Sequence, residues 1–570
     1  MLDRWQVLRR DPDTVTNPGE LADKWDAATV FAAPAPIAAV AAGNPDDFDW
    51  WCRSTVALSE PSIVEFLGLS FPATVFRNGA AIADCESMFL STRIMCEAGE
   101  HEFVIRFGSM SRWLKTRRPR GRWRSTLVGS PGLRWARTTL IGRAPVYGNL
   151  PAPVGIWRPI IVQPTRLSTD VVVRVQVDAV TISGSTGADS IGFVLRDPAG
   201  TVVADEAISP TDGKFHFTVM IDDPLRWWPN GYGPQHLYQA TVVADGVVVA
   251  VRPVGFRTIA VSDEGFQLSV NGTPIFCRGV TWSPPDPVRM HVSEIEIRNQ
   301  ARTFATAGAT MVRVVGGLVH EQDEFWRVCA EEGLMVWQDA MLATFDPPAE
   351  QGELIARELS AVLRRVSGNP ALVVVSGGSE TLQQPEMLGL NPDQSAMALL
   401  DHLLPAVVAE QTDAHYVPSS PSAPPNSSDL AIRPDTGVAH WFGVGGYLSP
   451  ISDVRHSGVR FAAESLAFSN PLNPATSIAI SAPPRSRVTT PNGRQGCPAT
   501  VARHGISKTS GTSTCARCSV RSRCWCDAQT PNGICKWAGW RSRPQCVSVS
   551  PSGDARIRAA EAPWCCRAGT

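Results

Sequence analysis

The chain has 570 residues, of which 44% are hydrophobic and 19% charged, the composition of an ordinary globular protein with room for about three or four packed domains. Its formal net charge of −2 excludes a uniformly basic, polyanion-coating protein. The charge is unevenly distributed: residues 471–570 hold 14 of the 52 Lys and Arg, 3 of the 54 Asp and Glu and 9 of the 14 Cys, for a net +11, against −13 for residues 1–470.

Residues 1–45 read as an N-terminal segment in which Pro18–Trp25 alone hints at a short helix. Met1-Leu2-Asp3-Arg4-Trp5 lacks the basic-then-apolar order of a secretory leader. The Ala/Val run Val30–Gly43 contains Pro34 and Pro36 and is too short to span a bilayer. The expectation is a cytoplasmic protein with no membrane partner.

Residues 46–165 show short alternating apolar runs broken by turn signals, such as Ala73–Arg77 before Asn78-Gly79, and Glu102–Phe107. This is the pattern of a β-sandwich with a hairpin at Asn78-Gly79. Residues 116–124 interleave five arginines with Trp123. A nucleic-acid patch is one reading, and a solvated loop with Trp123 packed inward is the stronger one, because residues 1–470 are acidic overall. No nucleic-acid partner is expected. Residues 166–255 alternate again, as in Val171–Val177 and Gln239–Ala244, and suit an immunoglobulin-like sandwich. The Trp227-Trp228 pair near its end is either core or a sugar-stacking surface, with core preferred.

After Phe256 the rhythm changes to buried strands alternating with helices. Phe276–Val280, Thr310–Val314 and Leu334–Asp339 read as strands, with helices over His291–Ala307 and Gln322–Glu332 between them. A helix over Glu353–Ser367 leads into Asn369–Glu380, in which five apolar residues between a Pro and a Gly pair form a fully buried fourth strand ending near Glu380. Strand edges at Tyr416–Pro421, Val438–Phe442 and Val459–Glu464 follow, and the last again ends on a Glu. Parallel βα repetition means a doubly wound sheet or a (β/α)8 barrel, whose strand C-termini face the substrate. Carboxylates ending strands four and seven of a barrel face each other across its mouth. A retaining glycosidase needs such a pair about 5–5.5 Å apart. On pattern alone, the plainer reading is that Glu380 and Glu464 each cap a strand or pair with Arg313 or Arg460.

Several segments in order resemble glycoside hydrolase family 2, most closely its β-mannosidase-like branch, over residues 45–470. They are Gly255-Phe256-Arg257, Phe266–Val280, Arg313–Gly317 and Val336–Asp339, with Trp50-Trp51, Trp227-Trp228-Pro229 and Leu237-Tyr238 upstream. The resemblance implies a jelly-roll-like sugar-binding sandwich at 46–165, an immunoglobulin-like sandwich at 166–255 and a TIM-type barrel at 256–470. It implies hydrolysis of terminal β-mannosides or related β-glycosides by double displacement, with a carbohydrate substrate and no cofactor or metal. By position, Glu380 takes the acid/base role and Glu464 that of nucleophile. The family places an Asn before the acid to bind the sugar 2-hydroxyl, and this chain has Ser379 there, so the sugar contact at that point differs. Trp282, Trp337 and Trp441 are candidates for a sugar platform, and Arg313, Asp339 and His440 for polar contacts. The alternative is a non-catalytic carbohydrate-binding protein. The sequence carries no signal of oligomeric state.

The resemblance stops at about residue 470. Residues 471–570 contain one Leu and no Phe, Tyr or Met, a composition that cannot pack an eighth βα unit. The expectation is therefore a barrel that ends after its seventh strand, with activity and solubility reduced by the open edge. Cys515, Cys518, Cys524 and Cys526 could supply four thiolates to a zinc ion, or the nine cysteines a disulfide framework. The Arg/Pro/Ser/Cys/Trp bias fits better an out-of-frame reading of GC-rich coding sequence.

Overall fold

Arg4–Arg10 alternates Trp5 and Val7 with polar neighbours, and this puts both into the core of a sandwich as the strand pairs antiparallel with Asp49–Leu58. The computed structural model describes residues 2–37, 43–145, 150–262, 266–425 and 427–467. The tail 471–570, on which fall the readings of its cysteines and the expectation that no eighth βα unit forms, lies outside the described residues. The segment 1–45 is not separate from the first sandwich, as its sequence suggested. It supplies Arg4–Arg10 and Thr29–Ala32 to a six-stranded sheet that continues through Asp49–Leu58, Gly99–Phe107, Ala73–Arg77 and Ala80–Cys85. Pro18–Leu21 is a single 3-10 turn capped by Asn17. The opposing sheet is Ile160–Pro164, Ser62–Phe66 and Thr92–Cys96. Trp5, Phe66 and Phe103 meet edge to face between the two. The hairpin at Asn78-Gly79 has both residues at positive φ, 51° and 82°, the conformation of a type I′ turn.

The second sandwich faces Thr169–Val175, Ala179–Thr186 and Lys214–Met220 against Val202–Ile208, Ile191–Arg196, Tyr238–Ala244 and Val247–Val254. Ile182, Ile191, Phe193 and Phe217 fill it. Trp227 is core, with its indole N–H donating to Ala330 O at 2.8 Å, and Trp228 is half-buried.

Five parallel strands follow, β1 (Gly279–Trp282), β2 (Met311–Val314), β3 (Met335–Asp339), β4 (Leu372–Ser376) and β5 (His415–Val417), in that spatial order. A parallel pair, β6 (Val438–Trp441) and β7 (Phe461–Ser465), comes next. The isolated bridges Ser379↔Ser420 and Ser422↔Val438 carry the chain from one to the other. The first strand starts three residues later than its apolar run, because Phe276 O and Arg278 N are engaged by the Thr310 hydroxyl before pairing begins. Helices α1 (Glu294–Thr306), α2 (Asp323–Glu331) and α3 (Gly352–Arg365) alternate with the strands. Ser293 and Glu296 form a capping box that starts α1, and Ile297, Ala301 and Phe304 give it one apolar stripe.

The strands have two unlike faces. Val312, Val314, Val336 and Val375 point outward to the helices. Met311, Met335, Trp337 and Val374 point inward, where Phe266, Leu268 and Phe461 plug the end at which the strands begin. Among the described residues no helix is long and apolar enough to cross a membrane.

Candidate active site

The polar groups gather where the strands end. Beyond β4, Gly377 and Gly378 let neighbouring loops close in: a Cβ on Gly377 would lie 2.4 Å from Pro418 O, and one on Gly378 2.6 Å from Thr381 Oγ1. Two residues later Glu380 takes φ +53°, a left-handed backbone that a side chain disfavours. Neighbours on both sides impose it, since Glu380 N donates to Ser420 O at 2.7 Å, Ser379 N to Leu342 O at 2.9 Å and Thr344 N to Ser379 O at 2.9 Å.

Arg313, on the inner face of β2, is buried and fully engaged. Its Nη2 donates to Asp339 Oδ2 at 2.7 Å, and its Nη1 to Glu464 Oε1 at 2.9 Å. Asp339 also accepts from Trp337 Nε1 at 2.9 Å and from the Gly316 backbone N–H at 3.0 Å. With Arg313 Nε also donating to Asp339 Oδ1 at 3.3 Å, four donors saturate one carboxylate, which holds the guanidinium against Glu464. Acidic neighbours Asp339 and Glu464 push Arg313 above the ordinary guanidinium range against the opposing effect of its burial. The bulge between Ala439 and His440 re-aims β6, so His440 pairs in register with Glu464. His440 Nδ1 lies 3.3 Å from Glu380 Oε1 and 3.8 Å from Glu464 Oε2. One atom from each of Glu380, His440 and Glu464 falls within 4.8 Å of the other two.

That trio has the shape to hold a divalent cation. The Arg313 guanidinium 2.9 Å from Glu464 already supplies the counter-charge, however, and would repel a dication placed there.

The structure thus brings together Glu380, Glu464, Arg313, Asp339 and His440. It does so differently from the expectation that the last three contact substrate: Asp339 and the His440 side chain are 0% exposed, and their polar atoms are spent on protein. Ser379 is buried and uses its backbone to lock the loop. Trp337 forms the floor, stacked on Phe461 with centroids 5.8 Å apart, and has no free face for a sugar. Trp282 is not at the site. It sits on the outer face of β1, in register with Val314 of β2, packed on Phe304 and Phe325 with its N–H on Glu321 Oε1 at 2.8 Å. Trp441 alone of the three is partly exposed. Sequence reading missed Ser420, whose Oγ lies 2.9 Å from His440 Nε2 and whose carbonyl accepts from the Glu380 N–H. Its position just past β5 was the available signal.

The first sandwich reaches this end of the strands through the arginine-rich loop. Trp123 is buried, donating its N–H to Thr344 O at 3.0 Å, and the partly exposed Arg122 pairs with Asp346 at 2.8 Å, so these two residues dock the sandwich.

No family profile matches the chain. The two β-sandwiches leading into a parallel βα unit are shared with solved structures of similar fold. The structure of β-D-mannosidase from Dictyoglomus thermophilum superposes with a TM-score of 0.72 at 19% identity, covering 91% of this chain and 70% of that one. Bacteroides uniformis β-glucuronidase superposes with a TM-score of 0.60 at 14% identity, covering 83% and 59%. In sequence, the chain is 28% identical over 439 residues to β-mannosidase B of Aspergillus terreus, covering 69% of this chain and 51% of the relative. The chain is similar to the β-mannosidase-like branch of glycoside hydrolase family 2, and it spans about half the length of the curated relatives it matches.

Proposed function

We propose that the protein is a retaining exo-β-glycosidase acting on terminal β-mannosides or close relatives, and that its seven parallel strands belong to a (β/α)8-type barrel. The observation that carries the reading is the pair Glu380 and Glu464, with carboxylate oxygens within 4.8 Å of each other and Arg313 ion-paired to the second. That spacing suits direct attack on the sugar, since an inverting pair stands about 6.5–9.5 Å apart to admit a water.

In the first step a Glu464 oxygen bonds to the anomeric carbon as the bond to the leaving oxygen breaks, and Glu380 gives its proton to that oxygen. Arg313, fixed by Asp339, aims the attacking carboxylate. In the second step water bonds to the anomeric carbon, its proton passes to Glu380, and the Glu464 carboxylate departs. Trp441, at the end of β6, is the platform candidate that keeps an open surface.

Hydrolysis of an aryl β-mannoside tests this. Glu380→Gln and Glu464→Gln should each lower kcat by about 10²–10⁴-fold or more. Proton NMR should detect β-mannose as the first product, and first release of the α-anomer would overturn double displacement. A second reading, sugar binding without turnover, draws on Ser379 in place of the family's Asn. It predicts mannoside binding by the parent with no hydrolysis.

A further inference from the structure

We infer that His440 is a neutral positioning residue, protonated at Nδ1, that offers one N–H to both carboxylates and follows the negative charge from Glu464 to Glu380 and back during turnover. The charge-following role rests on the glycosidase reading, whereas the tautomer rests on geometry alone.

Five groups face the ring. Arg313 Nη1 from β2 lies 3.2 Å from Nε2, and Ser420 Oγ, just past β5, lies 2.9 Å from the same atom. Glu380 Oε1, beyond β4, is 3.3 Å and Glu464 Oε2, on β7, 3.8 Å from Nδ1, while the Asp339 charge acts from β3. A guanidinium has no acceptor, so Nε2 must present its lone pair to Arg313. The Ser420 hydroxyl then also donates to Nε2. The ring proton is left at Nδ1, the only nitrogen that faces carboxylates. Burial pulls the imidazole down to about 4, which keeps it from becoming a cation whose Nε2–H would collide with Arg313.

A donor between two carboxylates has a use in this reaction. The anion is Glu464 before attack and Glu380 after the leaving group departs, so one N–H stabilises whichever carries the charge. His440 neither gives nor takes a proton. It is sealed from solvent at 0% side-chain exposure, which separates this role from substrate contact.

Imidazole ¹⁵N spectra of the labelled full-length protein, with His440 assigned through His440→Asn, test the tautomer without any need for activity. The expected signal is a protonated Nδ1 and a bare Nε2 that do not change between about pH 5 and about pH 8. A protonated Nε2, or a titration within that window, overturns the inference. For the shared donor, His440→Phe should lower kcat/KM by about 10- to 100-fold and move both limbs of its pH profile upward by about one unit, because both anions lose a donor. His440→Asn, which keeps an N–H near the Nδ1 position, should restore the limbs. An active His440→Phe variant with unmoved limbs overturns the shared-donor role. Absence of turnover in the parent overturns the glycosidase reading and the charge-following role together, while the ¹⁵N signal still decides the tautomer.

Discussion

The two sandwiches grip opposite ends of the βα unit, and they do so with different chemistry. The first holds the end that carries the carboxylates: Arg137 forks onto Glu358 of α3 and reaches Met341 O at 3.1 Å, and Leu140 N donates to Gly317 O at 2.8 Å beyond β2. Arg134 and Arg122 converge on Asp346, beyond β3. The second sandwich holds the base, mostly through backbone carbonyls, with Arg257 donating to Pro370 O at 2.9 Å and Leu372 O at 2.7 Å, and Asn230 to Ala305 O and Ala309 O at 2.9 Å each. Arg257 also pairs with Asp413 there, a carboxylate 52% exposed, so the charge at the base opens to solvent on one side, whereas Arg137 and Glu358 at the other end are both sealed at 2% exposure.

Breaking the buried ion pair gives the largest expected effect. Arg137 and Glu358 are each 2% exposed, so Arg137→Met strands a carboxylate and should cost about 3–5 kcal/mol in urea unfolding. The double variant Arg137→Met/Glu358→Leu should recover most of that stability, since a well-packed apolar pair replaces the charges. If the charges serve position, kcat/KM stays depressed in the double variant because Met341 O has lost its donor.

A second charge at the same end gives a pH signature. Burial raises Glu321, beyond β2, to about 7. Below pH of about 4 both folded and unfolded chains hold this proton. Between about 4.5 and about 7 the unfolded chain releases it first, so this group makes stability fall as pH rises, by about 3 kcal/mol in all, and above about 7 the loss is constant. Glu321→Gln keeps an acceptor for the Trp282 N–H and should be the more stable protein at pH 8, equal to the parent at pH 4. Equal stability of the two at pH 8 would sink the assignment.

The smallest effects sharpen the contrast between ends. Arg257→Ala at the base should cost about 2 kcal/mol, chiefly through unpaired buried carbonyls, since its other partner Asp413 is 52% exposed and can turn to water, and should leave kcat/KM unchanged. Arg122→Ala, removing a side chain 40% exposed, should cost less than about 1 kcal/mol yet lower kcat/KM several-fold, because Asp346 anchors the loop whose Thr344 holds Ser379.

The five-stranded parallel sheet, the parallel pair after it and the two glutamates were legible because buried apolar runs mark the strands, and for β4 a Pro before the run and a Gly pair after it place Glu380 just beyond its end. Strand parity was also legible and was not used. Register aligns Thr281, Arg313 and Trp337 on one face and sends Trp282 to the other. Arg4–Arg10 was not legible because neither of its partner strands, Thr29–Ala32 and Asp49–Leu58, adjoins it in sequence to form a hairpin signal. That Asp339 and His440 spend their polar atoms on Arg313 and Glu380 could not be read from spacing, since it depends on contacts among β2, β3, β6 and the loop beyond β4.

On the proposed function, the left-handed backbone of Glu380 sets the fold against the reaction. Gly would adopt φ +53° without the penalty, of about 1 kcal/mol or more, that a side chain brings there. A library of variants sorted for thermal tolerance alone would therefore enrich Gly or Asn at position 380 and discard the acid. Any campaign to toughen this protein has to hold that position fixed or select on turnover in the same round.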